Sequence, residues 1–247
     1  MSFSKRGVFV WMGVCLVILA SASAGEAQFG DLLKKLKQAT GGGLTEEKIV
    51  EGLKEALQIG TTKAVERVSR PDGYYANPRI RIPLPGAVKK VEKPLRLMGY
   101  GHKIDEFERS MNRAAEKAAP QAKAIFLDAI KKMTFKDARK ILEGEKNEAT
   151  LYFKRNTRDR LHEIFKPVVH DTMADVGVTR AYQEIDQKIS SMPMSESIRF
   201  DLDDYVTNGA LEGLFYMLAK EEEKIRKKPA ARVTDLLKEV FGSVEKR

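Results

Sequence analysis

DLDDYVTNGALEGLF, residues 201–215, carries three aspartates within four positions and a glutamate eleven residues after the first. A calcium-binding EF-hand loop needs oxygen ligands at positions 1, 3 and 5, glycine at 6 and glutamate at 12. Counted from Asp201, Asp203 and Glu212 fit, but Tyr205 takes the fifth position and Val206 the sixth. Without glycine there, the loop cannot make its sharp turn. A helix accounts for the same residues better. Leu202, Tyr205, Val206, Gly209, Ala210, Gly213, Leu214, Met217 and Leu218 recur at helical spacing as one apolar stripe. Asp201 then stands as the N-cap, and Asp203 and Asp204 meet the positive end of the helix dipole, each contributing on the order of 0.3–1 kcal/mol. A metal or ligand site built from Asp201, Asp203, Asp204 and Glu212 stays open as the alternative reading.

The same periodicity governs most of the chain. Thr45 is placed to cap a helix whose Ile49, Leu53, Ala56, Gly60 and Ala64 mark one face. RPDG (70–73) ends it with turn chemistry. In the following segment Ile80, Ile82 and Leu84 alternate with Arg79, Arg81 and Pro83, so 74–85 reads as extended. Pro78, Pro83 and Pro85 cannot donate to a ladder, which leaves an edge strand or a strap across helices. Helices are expected over 87–98 (ended by GYG), 105–119 and 120–133, with Pro120 suited to a first turn. Alanines 114, 115, 118, 119, 122 and 124 point to close helix–helix contact. Thr134 caps the next helix and Gly144 closes it. Further helices are expected over 148–176 (with a kink or break at Pro167), 179–190, 202–226 and 230–241, with SMPMSES (191–197) as a loop. The fold class is therefore all-α: a single multi-helix globular domain with a short extended, Pro-rich strap near 74–85.

The N-terminus reads as an address. Lys5 and Arg6 precede the apolar run GVFVWMGVCLVILA and the small residues SASAGEA, the pattern of a secretory signal peptide over 1–24. Ala22-Ser23-Ala24 sets cleavage after Ala24, with Ala27 as the alternative. The run is shorter than the roughly 20 apolar residues that span a bilayer. These features predict a periplasmic or secreted protein. Cleavage would remove Cys15 and Trp11, each the sole residue of its kind, leaving no thiol chemistry. It would leave 42 basic against 35 acidic residues, a net charge of about +7. These charges alternate in sign, as in KEEEKIRKK, and lack the aromatic-laced basic patches of nucleic-acid binding, so no nucleic-acid partner is expected. Segment 28–43 opens with Phe29, Leu32, Leu33 and Leu36 at helical spacing among lysines and closes on Gly41-Gly42-Gly43, a short basic amphipathic helix and a linker. Such a helix is marginal alone. It docks on the protein's own core or on a partner, or, through 28–38, makes peripheral contact with a membrane surface.

Familiar catalytic signatures are missing. H-E-x-x-H fails because Lys166 stands where a second histidine should follow His162; His102 and His170 complete the histidines. No G-x-S-x-G and no phosphate-binding glycine loop occurs. No cofactor is called for. Two polar clusters on otherwise apolar helices are the better binding candidates: Asn112, Arg113 and Glu116, and Thr150, Arg155 and Thr157 with Arg158. Arg113 or Arg155 would grip an anionic headgroup in a cleft lined by Phe and Met, or else pair with carboxylates across helices.

GLKEALQIGTTKAV, NPRIRIPLP, MNRAAEKAAP, AIKKMTFKDARKIL, ATLYFKRNT, DLDDYVTNGALEGLFYMLAKEEEKIRKKPAAR and DLLKEVF follow one another in an order that resembles domain-of-unknown-function family 4197, exported proteins mostly of Gram-negative bacteria. The resemblance covers about 45–242. It implies a bacterial, periplasmic helical domain over 44–242, with 243–247 as a tail, and transfers no activity to any residue. Residues and resemblance together predict non-catalytic binding of a small amphiphile, a lipid or an envelope partner protein. The alternatives are a metal-dependent hydrolase or metal-binding protein using the 201–212 stretch, and a scaffold without ligand.

Overall fold

The computed structural model describes residues 46–175 and 201–227. The chain divides between Ile49 and Val50 into two units; of the first, only 46–49 are described, the opening turn of a helix. The expected leader, segment 28–43, the Thr45 cap, the helices over 179–190 and 230–241, the loop over 191–197 and the tail all lie outside the described residues. What is described is all-α, with no strand among those residues.

Seven helices are described: α1 (Glu46–Val68), α2 (Gly86–Leu95), α3 (Gly101–Ala118), α4 (Ala122–Lys132), α5 (Phe135–Glu143), α6 (Glu148–Asp175) and α7 (Leu202–Lys227). α6 packs on α3, α4, α5 and α7, and α3 also packs on α7. Alanine makes this closeness possible: Ala114, Ala115, Ala118, Ala119 and Ala122 are fully buried, whereas Ala124 faces solvent. Larger side chains fill what remains. Phe126 of α4 meets Phe153 of α6 edge-on at 5.1 Å and Phe215 of α7 at 6.2 Å, contacts worth about 0.5–1.5 kcal/mol each beyond burial. Thr134 opens α5 with a full capping box, its hydroxyl accepting from the Asp137 N–H while the Asp137 carboxylate accepts from the Thr134 N–H.

The strap is only partly the extended segment expected over 74–85. Its first half folds as successive turns, with the Asn77 N–H donating to the Tyr74 carbonyl at 3.0 Å and the Ile80 and Arg81 N–H groups to the Asn77 carbonyl at 3.1 and 2.8 Å. Residues 81–85 run on without a partner strand. Ile80, Ile82 and Leu84 are buried while Arg79, Arg81 and Pro83 face out, the alternation of the sequence. It crosses α7 where that helix has no side chains. A Cβ on Gly213 would sit 2.5 Å from the Tyr74 ring, and one on Gly209 would sit 3.1 Å from Ile82. The turn before the strap holds Asp72 at a φ of 64°, a left-handed conformation that aspartate tolerates better than most residues.

The helices also depart from expectation in two places. α2 stops at Leu95, a wide π turn covers Arg96–Tyr100, and α3 begins at Gly101, four residues earlier than the sequence suggested. Of the two glycines only Gly99 (φ 87°) leaves helical geometry; Gly101 stays within it. Nor does α6 break at Pro167. A proline inside a helix costs about 3 kcal/mol, here offset by the burial of Leu161, Phe165 and Val169 around it.

Candidate functional site

The first polar cluster lies under the strap. Asn112 is fully buried; its Oδ1 accepts from the Ile82 N–H at 2.8 Å, and its Nδ2 donates to the Ile82 carbonyl at 2.9 Å and to the Glu108 carbonyl at 2.8 Å. Glu116 accepts from the N–H groups of Tyr74 (3.1 Å) and Tyr75 (3.4 Å). Arg113 bridges Glu116 at 2.6 Å and Asp72 at 2.8 Å; the Glu116 bond raises the guanidinium above its ordinary pKa. A strap with turns but no ladder leaves some of its backbone groups without backbone partners. Side chains of α3 supply them. Tyr74, also fully buried, completes the attachment by donating to the Ala210 carbonyl of α7 at 2.7 Å. Burial, then the Glu116 charge, pushes its phenol far above the usual range.

The second cluster is separate. The Thr150 hydroxyl and N–H both donate to Glu222 of α7 (2.8 and 2.9 Å), as does the Ala149 N–H at 3.1 Å. A buried carboxylate from one helix thus caps the N-terminus of another. Arg226 holds the same carboxylate at 3.0 Å and donates to the Ile141 carbonyl at 2.7 Å. Arg155 pairs with Glu148 at 3.1 Å, and the Thr157 hydroxyl donates to the Phe153 carbonyl one turn back. The two arginines expected to grip a headgroup are engaged within the protein, Arg113 by Glu116 and Asp72 and Arg155 by Glu148. The common physical reason is the demand of buried backbone for hydrogen bonds.

The acidic stretch begins α7 as the sequence suggested: Asp201 accepts from the Asp204 N–H at 2.8 Å. Each acid there also faces a cation or histidine of α6. Lys166 reaches Asp201 at 2.7 Å, His162 reaches Asp204 at 2.8 Å, and His170 reaches Asp203 at 2.7 Å. One turn or more further on, Lys154 and Arg158 meet Glu212 at 3.1 and 2.6 Å. The Lys166 bond holds the Asp201 carboxyl below its ordinary pKa, and the Asp203 bond raises His170. Partial burial opposes ionisation of Glu212, yet Lys154 and Arg158 bring its pKa down. No three His, Cys, Asp or Glu side chains converge on a metal-binding geometry among the described residues. A divalent ion at Asp201, Asp203, Asp204 or Glu212 would have to displace these α6 partners.

Between the strap and α7 runs an open groove of about 780 Å³. Its walls include Ile82, Pro83, Tyr205, Gly209, Gly213 and Tyr216, with Arg79 and Arg81 on the strap side and Asp201, Asp204 and Glu212 along α7. Asn112, Arg113, Glu116, Thr150, Arg155 and Thr157 do not line it; nor does Asp203. Tyr205 ties the two walls together by donating to the Pro83 carbonyl at 3.1 Å. Arg81 is engaged, donating to the Tyr75 carbonyl at 2.7 Å and stacked over that ring. The exposed Arg79 guanidinium has no bonded partner among the described residues, and Lys220 lies within its electrostatic range. The sequence pattern that puts Ile80 and Ile82 inside already puts Arg79 and Arg81 outside, but nothing in it announces a groove.

Strap, glycine-bearing helix and groove define a helical domain bolted together by buried polar side chains. The family model described as Protein of unknown function (DUF4197) matches residues 43–242. The chain belongs to that family. No curated protein and no solved structure matches it.

Proposed function

We propose that the chain is a non-catalytic binding protein of the periplasm, released by cleavage near Ala24, that takes a small anionic amphiphile in the groove between strap and α7. The observation that carries the reading is the Arg79 guanidinium, without a bonded partner among the described residues, beside a largely apolar groove of about 780 Å³. That volume falls within the roughly 300–1,000 Å³ of small-ligand sites, which are apolar with a few placed polar groups. The headgroup would meet Arg79, whose planar donors suit a carboxylate or phosphate. The apolar body would lie along Ile82, Pro83, Tyr205 and Tyr216. An apolar segment of an envelope partner protein carrying a carboxylate would use the same chemistry.

Native mass spectrometry of the protein recovered from the expressing cell should show bound mass. A fluorescent fatty acid should bind saturably, and Arg79→Glu should weaken it at least about tenfold, the loss of one charge-assisted bond. Absence of bound mass together with non-saturable probe uptake would overturn the reading. N-terminal sequencing of the recovered protein tests the cleavage: Met1 still present would remove the periplasmic assignment.

A further inference from the structure

A second surface stands apart from the groove residues. At the π turn between α2 and α3, Leu97 is 90% exposed and Met98 52%. Single exposed apolar side chains are ordinary; an adjacent pair at a held corner is less so. Arg96 fixes this corner, donating to Glu92 at 2.9 Å, to Asp105 at 2.6 Å and to the Gly101 carbonyl at 3.4 Å. Gly99, at a φ of 87°, makes the reversal. Leu97 and Met98 are thus presented outward by a braced turn. On the α2 side the charge is one-sided, while Asp105 and Glu106 of α3 sit against Arg96 and His102. Residues 86–103 contain five lysines and arginines against the single Glu92, and Arg96 neutralises that acid. Lys89, Lys90 and Lys93 are exposed, with no ion-pair partner among the described residues. On a helix, Lys89 and Lys93 lie one turn apart on the side that leads to Leu97. His102 at the start of α3 is exposed beside Glu106 (3.8 Å).

We infer that this corner is a membrane-contact tip, inserting Leu97 and Met98 among the headgroups of an anionic bilayer while Lys89, Lys90 and Lys93 hold the lipid phosphates. The occupant follows from the pairing of properties: an apolar tip suits the acyl boundary, and a rim of unpaired lysines suits a negative surface. No described helix is long and apolar enough to cross a membrane, so the contact is peripheral. It shares no residue with the groove or with segment 28–38.

The test attaches an environment-sensitive NBD label at Leu97→Cys in a Cys15→Ser background, with the same label at Lys131→Cys on α4 as the remote control. Vesicles of phosphatidylglycerol and phosphatidylethanolamine should shift the label at position 97 to the blue, leaving position 131 unchanged. Phosphatidylcholine vesicles should not, and 0.5 M salt should suppress the shift, as it does for exposed charges. Lys89→Glu/Lys90→Glu/Lys93→Glu should lower vesicle affinity at least tenfold, each basic residue near an anionic leaflet being worth about a factor of five. A label at 97 that stays in water on anionic vesicles overturns the inference, even if the protein binds them by another segment. So does a blue shift that needs no vesicles and grows with protein concentration, which would assign the tip to a second copy of the chain. None of these positions lines the groove, so fatty-acid binding there should be unaffected by the variants and the two proposals fail separately.

Discussion

Asn112→Ala is the sharpest test of the strap as a bolted element. Asn112 and Ile82 are 0% and 2% exposed. The truncation leaves the Ile82 N–H and carbonyl without partners and takes one donor from the Glu108 carbonyl, which α3 itself still satisfies. A buried backbone group without a partner costs about 1–3 kcal/mol, so two of them, allowing for relaxation, should destabilise the protein by about 2–4 kcal/mol. Urea denaturation of wild type and variant measures that difference. Hydrogen exchange localises it, because the Ile82 amide should lose protection while amides in the middle of α6 retain theirs relative to the global stability. Asn112→Asp sharpens the test further. It keeps an acceptor for the Ile82 N–H but turns a carboxylate oxygen toward the Ile82 carbonyl, so at neutral pH it should be at least as damaging as alanine. A loss below about 0.5 kcal/mol, the range of ordinary surface substitutions, would refute the clamp.

Gly213→Ala should cost about 1–3 kcal/mol by overpacking, since its Cβ would lie 2.5 Å from the Tyr74 ring; a neutral urea midpoint would show that the strap yields freely. Tyr74→Phe removes only the bond to the Ala210 carbonyl and should cost about 1 kcal/mol in the same assay. Glu222→Ala strips the acceptor from the start of α6 and leaves Arg226 without its carboxylate; a loss of about 3 kcal/mol is expected, and a change within error would mean water replaces the cap. The His170–Asp203 bond raises the histidine above 6.5, so its stabilisation is complete below that pH and fades as pH rises through the folded-state value. Melting temperatures of wild type and His170→Gln should therefore converge in mildly alkaline buffer, and an NMR titration placing His170 at or below 6.5 would contradict the pairing. The sign reverses for Asp201, whose pKa is lowered first by Lys166: its contribution is present at neutral pH and lost on acidification, which Asp201→Asn should reveal as a shallower acid transition.

Periodicity made the helices legible, because burial of one face is a local property that repeats along the chain. The stripe from Leu202 to Leu218, the alanines of α3 and the Thr134 cap could be read one element at a time. Alternation similarly sorted Ile80, Ile82 and Leu84 from Arg79, Arg81 and Pro83. Helix ends were less legible. Gly99 and Gly101 look alike in sequence, and only the packing of α3 decides which of them carries the reversal. The chain likewise could not show that Pro167 sits within an unbroken helix, since the compensation comes from what surrounds Leu161, Phe165 and Val169.

The polar clusters show why a site is harder to read than a fold. Asn112, Glu116 and Thr150 stand out because each interrupts an apolar face, and a polar group there must have a partner. Sequence says that the partner exists but not whether it is a ligand or the protein's own backbone. Thr150 finds the Glu222 carboxylate, whereas Asn112 and Glu116 find the backbone of the strap. A segment with three prolines cannot join a ladder, yet its alternate residues are buried, so its N–H and carbonyl groups enter the interior without strand partners. Something on the helices beneath must supply two-sided hydrogen bonding, and an amide that both donates and accepts does so in one side chain. An asparagine on the inner face of α3 is what that geometry requires. The same reasoning points outward for function: the side chains left over once the strap's demands are met, Arg79 above all, are those free to meet something else.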